Sequence, residues 1–195
     1  PKGYAALNDF LLAVRDELTP LHQNESEPLQ QTLRNGTQTA ARLLHTPTPV
    51  FKALKESISA LVRRYIDDLP NDMSHPFLAR KSSQFEFSGS WSVKLRADGF
   101  HINHVHPEGW ISSSCYISIP KSMGEPDTLD GVYQGHIKFG ESPLQLGDRE
   151  LIEFTLEPKP GMVVLFPSYF WHGTYPFKGG ESDYRLTAPF DVLPR

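Results

Sequence analysis

Three of the eight histidines in this 195-residue chain lie within one six-residue stretch, at His101, His104 and His106. In an extended strand, side chains two residues apart project to the same face, so His104 and His106 can point at one metal ion. Imidazole is a good ligand for iron, zinc, copper and nickel. We expect the third ligand to be His172, which lies much later in the chain, within FPSYFWHGTYP. Three protein ligands on one side of an ion leave its other coordination positions open for chemistry.

The same stretch also allows a second ligand set. His106-Pro107-Glu108 is an H-x-E motif, in which His106 and Glu108 would bind the ion and His104 would lie behind them. We favour His104 and His106, because a proline between two ligands fits poorly into a paired strand. Glu108 stays open as the alternative ligand.

The residues that precede these histidines are predicted to be mainly helical. Apolar residues at helical spacing predict one helix over Leu7–Leu18 and a second over residues 50–69. Pro49 lies just inside the start of the second helix, and Pro70 lies just past its end. The segment between the two helices is harder to interpret.

In that middle segment, Asn35-Gly36 indicates a turn. Thr37 or Thr39 could cap a short helix that continues through Leu44. The sequence therefore predicts a turn here, with a short helix as one possibility.

After about residue 84 the sequence changes to short alternating segments that are typical of β-strands. Ala97-Asp98-Gly99 is predicted to form a turn among them. Seven or eight short strands, punctuated by glycine and proline and without helices between them, are typical of a sandwich or barrel. The candidate strands are 85–95, 111–120, 135–140, 152–158, 161–167, 171–177 and 184–192.

The composition excludes several classes of protein. A net charge of −4 gives no basic surface for nucleic acid. No apolar run reaches the roughly 18 residues that a membrane span needs. Cys115 is the only cysteine, which excludes an internal disulfide and predicts a reducing compartment, the cytoplasm. The chain begins at Pro1 without a methionine, so a piece of a longer polypeptide is one expectation.

Six motifs occur along the later part of the chain. In chain order they are His104-Val105-His106, Cys115-Tyr116-Ile117, GHIKF, KPGMVVLF, HGTYP and Arg185-Leu186-Thr187. With these motifs in this order, the sequence resembles the 2-oxoglutarate/Fe(II)-dependent oxygenases over about residues 91–190. It resembles in particular an uncharacterised group of these enzymes, some of which are fused to tetratricopeptide repeats.

The resemblance implies a fold and a division of the chain. The expected fold class is α+β but mainly β, a double-stranded β-helix of the jelly-roll, cupin-like kind with N-terminal helices packed on it. Residues 1–80 would form the helical extension, and residues 81–195 would form the β-helix oxygenase domain.

The resemblance also implies a set of ligands. Fe(II) would be held by His104, His106 and His172, and 2-oxoglutarate would complete its coordination. The far carboxylate of 2-oxoglutarate needs a buried cation, and a planar guanidinium suits it better than an ammonium group. Arg185 takes that role by this analogy, with Thr187 and Tyr116 as additional hydrogen-bond donors.

The implied reaction couples decarboxylation of 2-oxoglutarate by O2 to hydroxylation of a substrate C–H bond. The substrate would be a small molecule or a protein, and neither nucleic acid nor a membrane is expected as a partner.

The sequence departs from the family pattern at one ligand. The usual motif is H-x-D/E, and His106 stands where the carboxylate is expected. Three histidines carry no ligand charge, which changes the affinity and the redox balance of the metal. Two alternatives therefore stay open: a non-catalytic β-helix module that binds a protein partner, and a cupin-like metalloenzyme that does not use 2-oxoglutarate.

Overall fold

The computed structural model describes residues 1–22, 32–40, 42–120, 123, 133–144 and 146–195. Over these residues the chain is mainly β. The helices are α1 (Leu7–Leu18) and α2 (Pro49–Asp68). The strands are β1 (Leu33–Gln38), β2 (Phe85–Ser90), β3 (Val93–His101), β4 (Ile111–Ser118), β5 (Ile137–Phe139), β6 (Phe154–Leu156), β7 (Val163–Pro167), β8 (His172–Thr174), β9 (Tyr184–Thr187) and β10 (Phe190–Pro194).

Both predicted helices are confirmed, to within one residue at each end. Each turns an apolar face inward, so that Val14 and Leu18 of α1 and Ile58 and Val62 of α2 are almost completely buried. These side chains share one hydrophobic core with Phe190 of β10, and the helices therefore pack on the sheet. Neither α1 nor α2, nor any other helix in the described part of the chain, is long and apolar enough to cross a membrane.

Thr48 caps the start of α2. Its hydroxyl accepts a hydrogen bond from the Phe51 backbone N–H at 3.1 Å and donates one to the Glu17 carboxylate at 2.6 Å. We expect Thr48→Ala to lower the free energy of unfolding by about 1 kcal/mol, because the cap is lost. Urea denaturation of the two proteins measures this difference. Thr48→Ser keeps the hydroxyl and should retain most of the stability, whereas an alanine variant as stable as the parent would contradict the role of the cap.

The strands form a larger antiparallel sheet and a small one. In the larger sheet the order is β1-β3-β9-β4-β10-β2, with β7 on the other side of β4, and in the small sheet it is β6-β5-β8. The larger sheet curls into a half-barrel. β4 pairs with β10 near its start and with β9 near its end. The strand predicted over 184–192 is thus two strands, which separate at Ala188-Pro189.

The ambiguous middle segment contains strand β1, which the sequence did not predict. A single 3-10 turn at Leu43–His45 takes the place of the possible short helix. β1 lies against β3 so closely that a Cβ atom at Gly36 would come within 2.5 Å of the Lys94 carbonyl oxygen. Glycine is therefore needed at this position for close packing of the two strands, and Asn35-Gly36 does not end the strand.

The pairing of β1 with β3 is interrupted by a bulge in which β3 has several extra residues. Arg34 pairs with Phe100, but Gly36, only two residues later, pairs with Leu95. The extra residues of β3 include Ala97-Asp98-Gly99, which was predicted to be a turn between strands. Asp98 has a φ of 62° there, but β3 continues on both sides of it, so the predicted turn does not end the strand.

The division of the chain at residue 80 stays a proposal. β1 lies before that position and is hydrogen-bonded to β3, which lies after it. The sheet therefore includes residues from both parts of the chain.

His22, just after α1, joins the N-terminal region to the sheet. Its Nδ1 lies 2.8 Å from the Thr37 hydroxyl, and its Nε2 lies 2.9 Å from the Ser92 hydroxyl. Burial, together with the charge of Lys94, lowers the pKa of His22 to about 4. An unfolded chain would take up a proton at this residue near pH 6.5, whereas the folded protein takes it up only near pH 4.

We therefore expect the free energy of unfolding to fall as the pH decreases from about 6.5 to about 4, in part because of His22. In His22→Gln this contribution is absent, so its stability should depend less on pH across that window. Urea denaturation at several pH values measures both slopes. Equal slopes for the parent and the variant would contradict the prediction.

Candidate active site

The three predicted metal ligands meet where the two sheets join. His104 follows the end of β3, and His172 is the first residue of β8. Their backbones form an isolated antiparallel bridge, with N···O distances of 2.9 and 3.0 Å. The backbone N–H of His106 donates to the Ser168 carbonyl oxygen at 2.9 Å. Backbone hydrogen bonds therefore fix all three residues next to one another.

Their side chains form a compact cluster. One potential ligand atom from each of His104, His106 and His172 lies within 4.8 Å of the other two. Among the described residues, these three are the one group of three or more histidine, cysteine or acidic side chains whose ligand atoms lie close enough together to hold a metal ion. The spacing fits three ligands around one ion.

Hydrogen bonds select the nitrogen that each ring can offer to a metal. Nδ1 of His104 lies 2.7 Å from the Ile102 carbonyl oxygen, and Nδ1 of His172 lies 2.9 Å from the Phe170 carbonyl oxygen. Since a carbonyl oxygen only accepts, each Nδ1 carries the proton and each Nε2 keeps its lone pair for a metal. Burial lowers the pKa of His104 to about 4 and the pKa of His172 well below 6.5. Both rings are therefore neutral, as metal ligation requires.

The alternative ligand and the remaining histidine of the stretch lie outside this cluster. Glu108 is exposed to solvent. His101 lines the same cavity as the cluster, but its Nδ1 is 3.2 Å from the Thr32 hydroxyl, and burial lowers its pKa well below 6.5. The geometry thus favours His104 over Glu108 as a partner of His106.

A cavity of about 390 Å³ extends from the cluster into the half-barrel. It brings the predicted metal ligands together with Arg185 and Thr187 of β9. Apolar side chains form much of the remaining wall. They include Trp91, Val105, Ile137 and Phe166.

Arg185 is a buried cation that has no counter-ion among the described residues. The residue is only 2% exposed. None of the carboxylates in the described part of the chain forms an ion pair with its guanidinium. Its guanidinium makes long hydrogen bonds to the Gly135 carbonyl oxygen at 3.4 Å and the Thr174 hydroxyl at 3.5 Å. Its Nε has no hydrogen-bond partner among the described residues. Burial lowers the pKa of Arg185. Such a group calls for an anionic ligand.

Tyr116 and Thr187 face each other in the pairing of β4 with β9. Both are almost completely buried, and burial raises the pKa of Tyr116. The Tyr116 hydroxyl makes no hydrogen bond with the described residues. A buried hydroxyl without a partner is costly, so a ligand oxygen would stabilise it. Thr187 is among the residues that line the cavity, whereas Tyr116 is not.

Sequence reasoning assigned no role to Asp191, which lies beside the cluster. Both of its carboxylate oxygens are 2.8 Å from Nδ1 of His106. The sequence offered one signal for a role of this residue: it is an acidic residue between the apolar residues Phe190 and Val192 of a predicted strand. That signal does not identify the partner, which is 85 residues away in the chain.

Comparison with known proteins decides the family. Residues 89–191, more than half of the chain, match a family described as "Putative 2OG-Fe(II) oxygenase". The chain belongs to this oxygenase family. As a member, it is an enzyme that depends on Fe(II) and 2-oxoglutarate (2OG), and this favours the oxygenase over the non-catalytic module and the cupin-like alternative. No curated protein is similar enough in sequence to count as a relative.

Solved structures of 2OG-Fe(II) oxygenases share the fold. A prolyl-4-hydroxylase of Pseudomonas putida has 14% sequence identity and a TM-score of 0.60, covering 96% of this chain and 88% of that one. AviO1 of Streptomyces viridochromogenes has 13% identity and a TM-score of 0.59, covering 99% and 86%. HygX of Streptomyces hygroscopicus, solved with nickel and 2-oxoglutarate, has 14% identity and a TM-score of 0.55, covering 96% and 79%. The predicted fold class, mainly β with a double-stranded β-helix and packed helices, is confirmed.

Proposed function

We propose that His104, His106 and His172 hold the Fe(II) of this oxygenase and that Arg185 holds the far carboxylate of 2-oxoglutarate. One observation carries the proposal: a single cavity joins three pre-oriented imidazoles to a buried guanidinium that has no carboxylate partner among the described residues. A dicarboxylate that binds a metal at one end and a cation at the other suits both features. Thr187 and Tyr116 would add hydrogen bonds to the carboxylate at Arg185.

Iron, when bound, supplies the redox chemistry that couples oxidative decarboxylation of 2-oxoglutarate by O2 to hydroxylation of a C–H bond. The residues of the chain bind and orient the reactants. The carbonyl groups of Ile102 and Phe170 keep the His104 and His172 rings in one tautomer and orientation. The apolar part of the cavity wall would limit the access of water and so would strengthen the interaction of Arg185 with an anion.

The substrate is proposed to be a small molecule or a protein that reaches the metal through this cavity. We further propose that the enzyme acts in the cytoplasm. The support is its single cysteine, Cys115, which is buried and whose pKa burial raises to about 12, so that it is unreactive.

An anaerobic titration tests the proposed site. We expect purified protein with Fe(II) and 2-oxoglutarate to show a weak visible metal-to-ligand charge-transfer band, and the later addition of O2 to yield succinate. Metal binding without the band would contradict the assignment of the 2-oxoglutarate site. Absence of metal binding would contradict the assignment of the three histidines.

A further inference from the structure

The three proposed ligands are all histidines and bring no negative charge to the metal, yet a carboxylate lies one imidazole ring away from the metal position. Asp191 of β10 approaches His106 with both oxygens at 2.8 Å from Nδ1. Nδ1 therefore donates its proton to Asp191, and Nε2 of His106 is left for the metal. The other two rings donate instead to neutral carbonyl groups. Among the described residues, His106 is thus the one ligand of the three that has an anionic partner.

Asp191 is held in this place by further contacts. The buried Ser112 hydroxyl donates to its Oδ1 at 2.7 Å, and the Ser112 and Ser168 hydroxyls are 2.9 Å apart. The side chains of His106 and Asp191 are only 19% and 16% exposed. No lysine or arginine in the described ranges forms an ion pair with Asp191. Its negative charge is therefore directed at His106.

We propose that Asp191 is a positioning residue that supplies, through His106, the negative charge which this ligand set lacks. This inference rests on the proposed function, because it requires that His106 bind the metal. A carboxylate that accepts the Nδ1 proton makes the ring a stronger donor at Nε2 and fixes its orientation. It also offsets part of the metal charge, a role that a directly bound carboxylate has in the usual H-x-D/E pattern.

Asp191→Asn separates the charge from the geometry, because an asparagine oxygen can still accept the Nδ1 hydrogen bond. Metal-free protein is titrated with Ni(II) or Co(II) in the absence of 2-oxoglutarate, so that affinity is measured without activity. We expect the dissociation constant to rise about 10- to 100-fold. We also expect a more positive Fe(III)/Fe(II) potential, because loss of a nearby anion disfavours Fe(III). A role only in folding would leave that potential unchanged.

Two further variants complete the comparison. Asp67→Asn makes the same chemical change at an exposed position of α2 and should bind metal like the parent. Ser112→Ala keeps the Asp191 carboxylate but removes the hydroxyl that orients it, and a few-fold weaker affinity is expected. If Asp191→Asn does not fold, as judged by circular dichroism, the Ser112→Ala titration decides.

The outcomes separate this inference from the proposed function. Unchanged affinity and potential in Asp191→Asn, or unchanged affinity in Ser112→Ala where that variant decides, would overturn the role of Asp191. The His172→Ala variant serves as the reference in the same titration. If it loses the metal while Asp191→Asn keeps it, the metal site stands and only the role of Asp191 fails. If His172→Ala binds metal like the parent, the proposed metal site itself fails.

Discussion

Replacing His172 by alanine is expected to abolish both stable metal binding and succinate formation. His172 contributes one of three ligand atoms that lie within 4.8 Å of one another, and its Nδ1 is already committed to the Phe170 carbonyl oxygen. Alanine leaves two imidazoles, which do not form a facial set of three ligands. Isothermal titration with Ni(II) measures the metal, and a coupled assay measures succinate after addition of Fe(II), 2-oxoglutarate and O2.

His45→Ala is the matched control for this variant. His45 is the exposed last residue of the turn Leu43–His45 and does not line the cavity, so its loss removes an imidazole without touching the cavity. We expect this control to bind metal and form succinate like the parent. A His172→Ala protein that is folded and still forms succinate at the parental rate would overturn the metal site.

Replacing Arg185 by alanine is expected to remove 2-oxoglutarate binding while leaving metal binding intact. The guanidinium is buried, lacks a carboxylate partner among the described residues and lines the same cavity as the histidines. Loss of one partner of a buried charge pair costs about 2–5 kcal/mol, which predicts at least a roughly 30-fold weaker affinity for 2-oxoglutarate. The charge-transfer band of the anaerobic Fe(II) complex, recorded at increasing 2-oxoglutarate, measures that affinity.

Two other variants make this experiment specific. Arg185→Lys keeps the charge but cannot bind a carboxylate through two parallel N–H groups, so an intermediate affinity is expected. Arg64→Ala removes a guanidinium that is 83% exposed on α2 and should behave like the parent. The proposed role of Arg185 would be wrong if Arg185→Ala bound both Ni(II) and 2-oxoglutarate as tightly as the parent does.

The parts of the fold that depend on local sequence pattern were predictable. α1 and α2 each carry an apolar face at helical spacing. The later strands are short segments with alternating residue types, and glycine and proline residues separate them. β1 was missed because Asn35-Gly36 is a strong turn signal in sequence. Its actual environment, the close approach of β3 to Gly36, is a contact between residues that are far apart in the chain.

The candidate site shows the same limit. His104 and His106 are two residues apart, so their proximity could be inferred from strand geometry. His172 was the candidate third ligand from the sequence, and family resemblance added Arg185. The contact of His106 with Asp191 depends on how β10 pairs with β4, a register that no local pattern specifies. The absence of a ligand carboxylate was visible in the sequence, but the carboxylate behind His106 was not.

The backbone bridge between His104 and His172 has a consequence for dynamics. These two residues donate to each other through their amide N–H groups, and they connect the end of β3 to β8 in the small sheet. If their rings bind one ion, opening this bridge also requires release of that ion. The amide protons of His104 and His172 should therefore exchange with solvent more slowly when the metal is bound. Hydrogen exchange at these two positions then reports metal occupancy from the backbone itself.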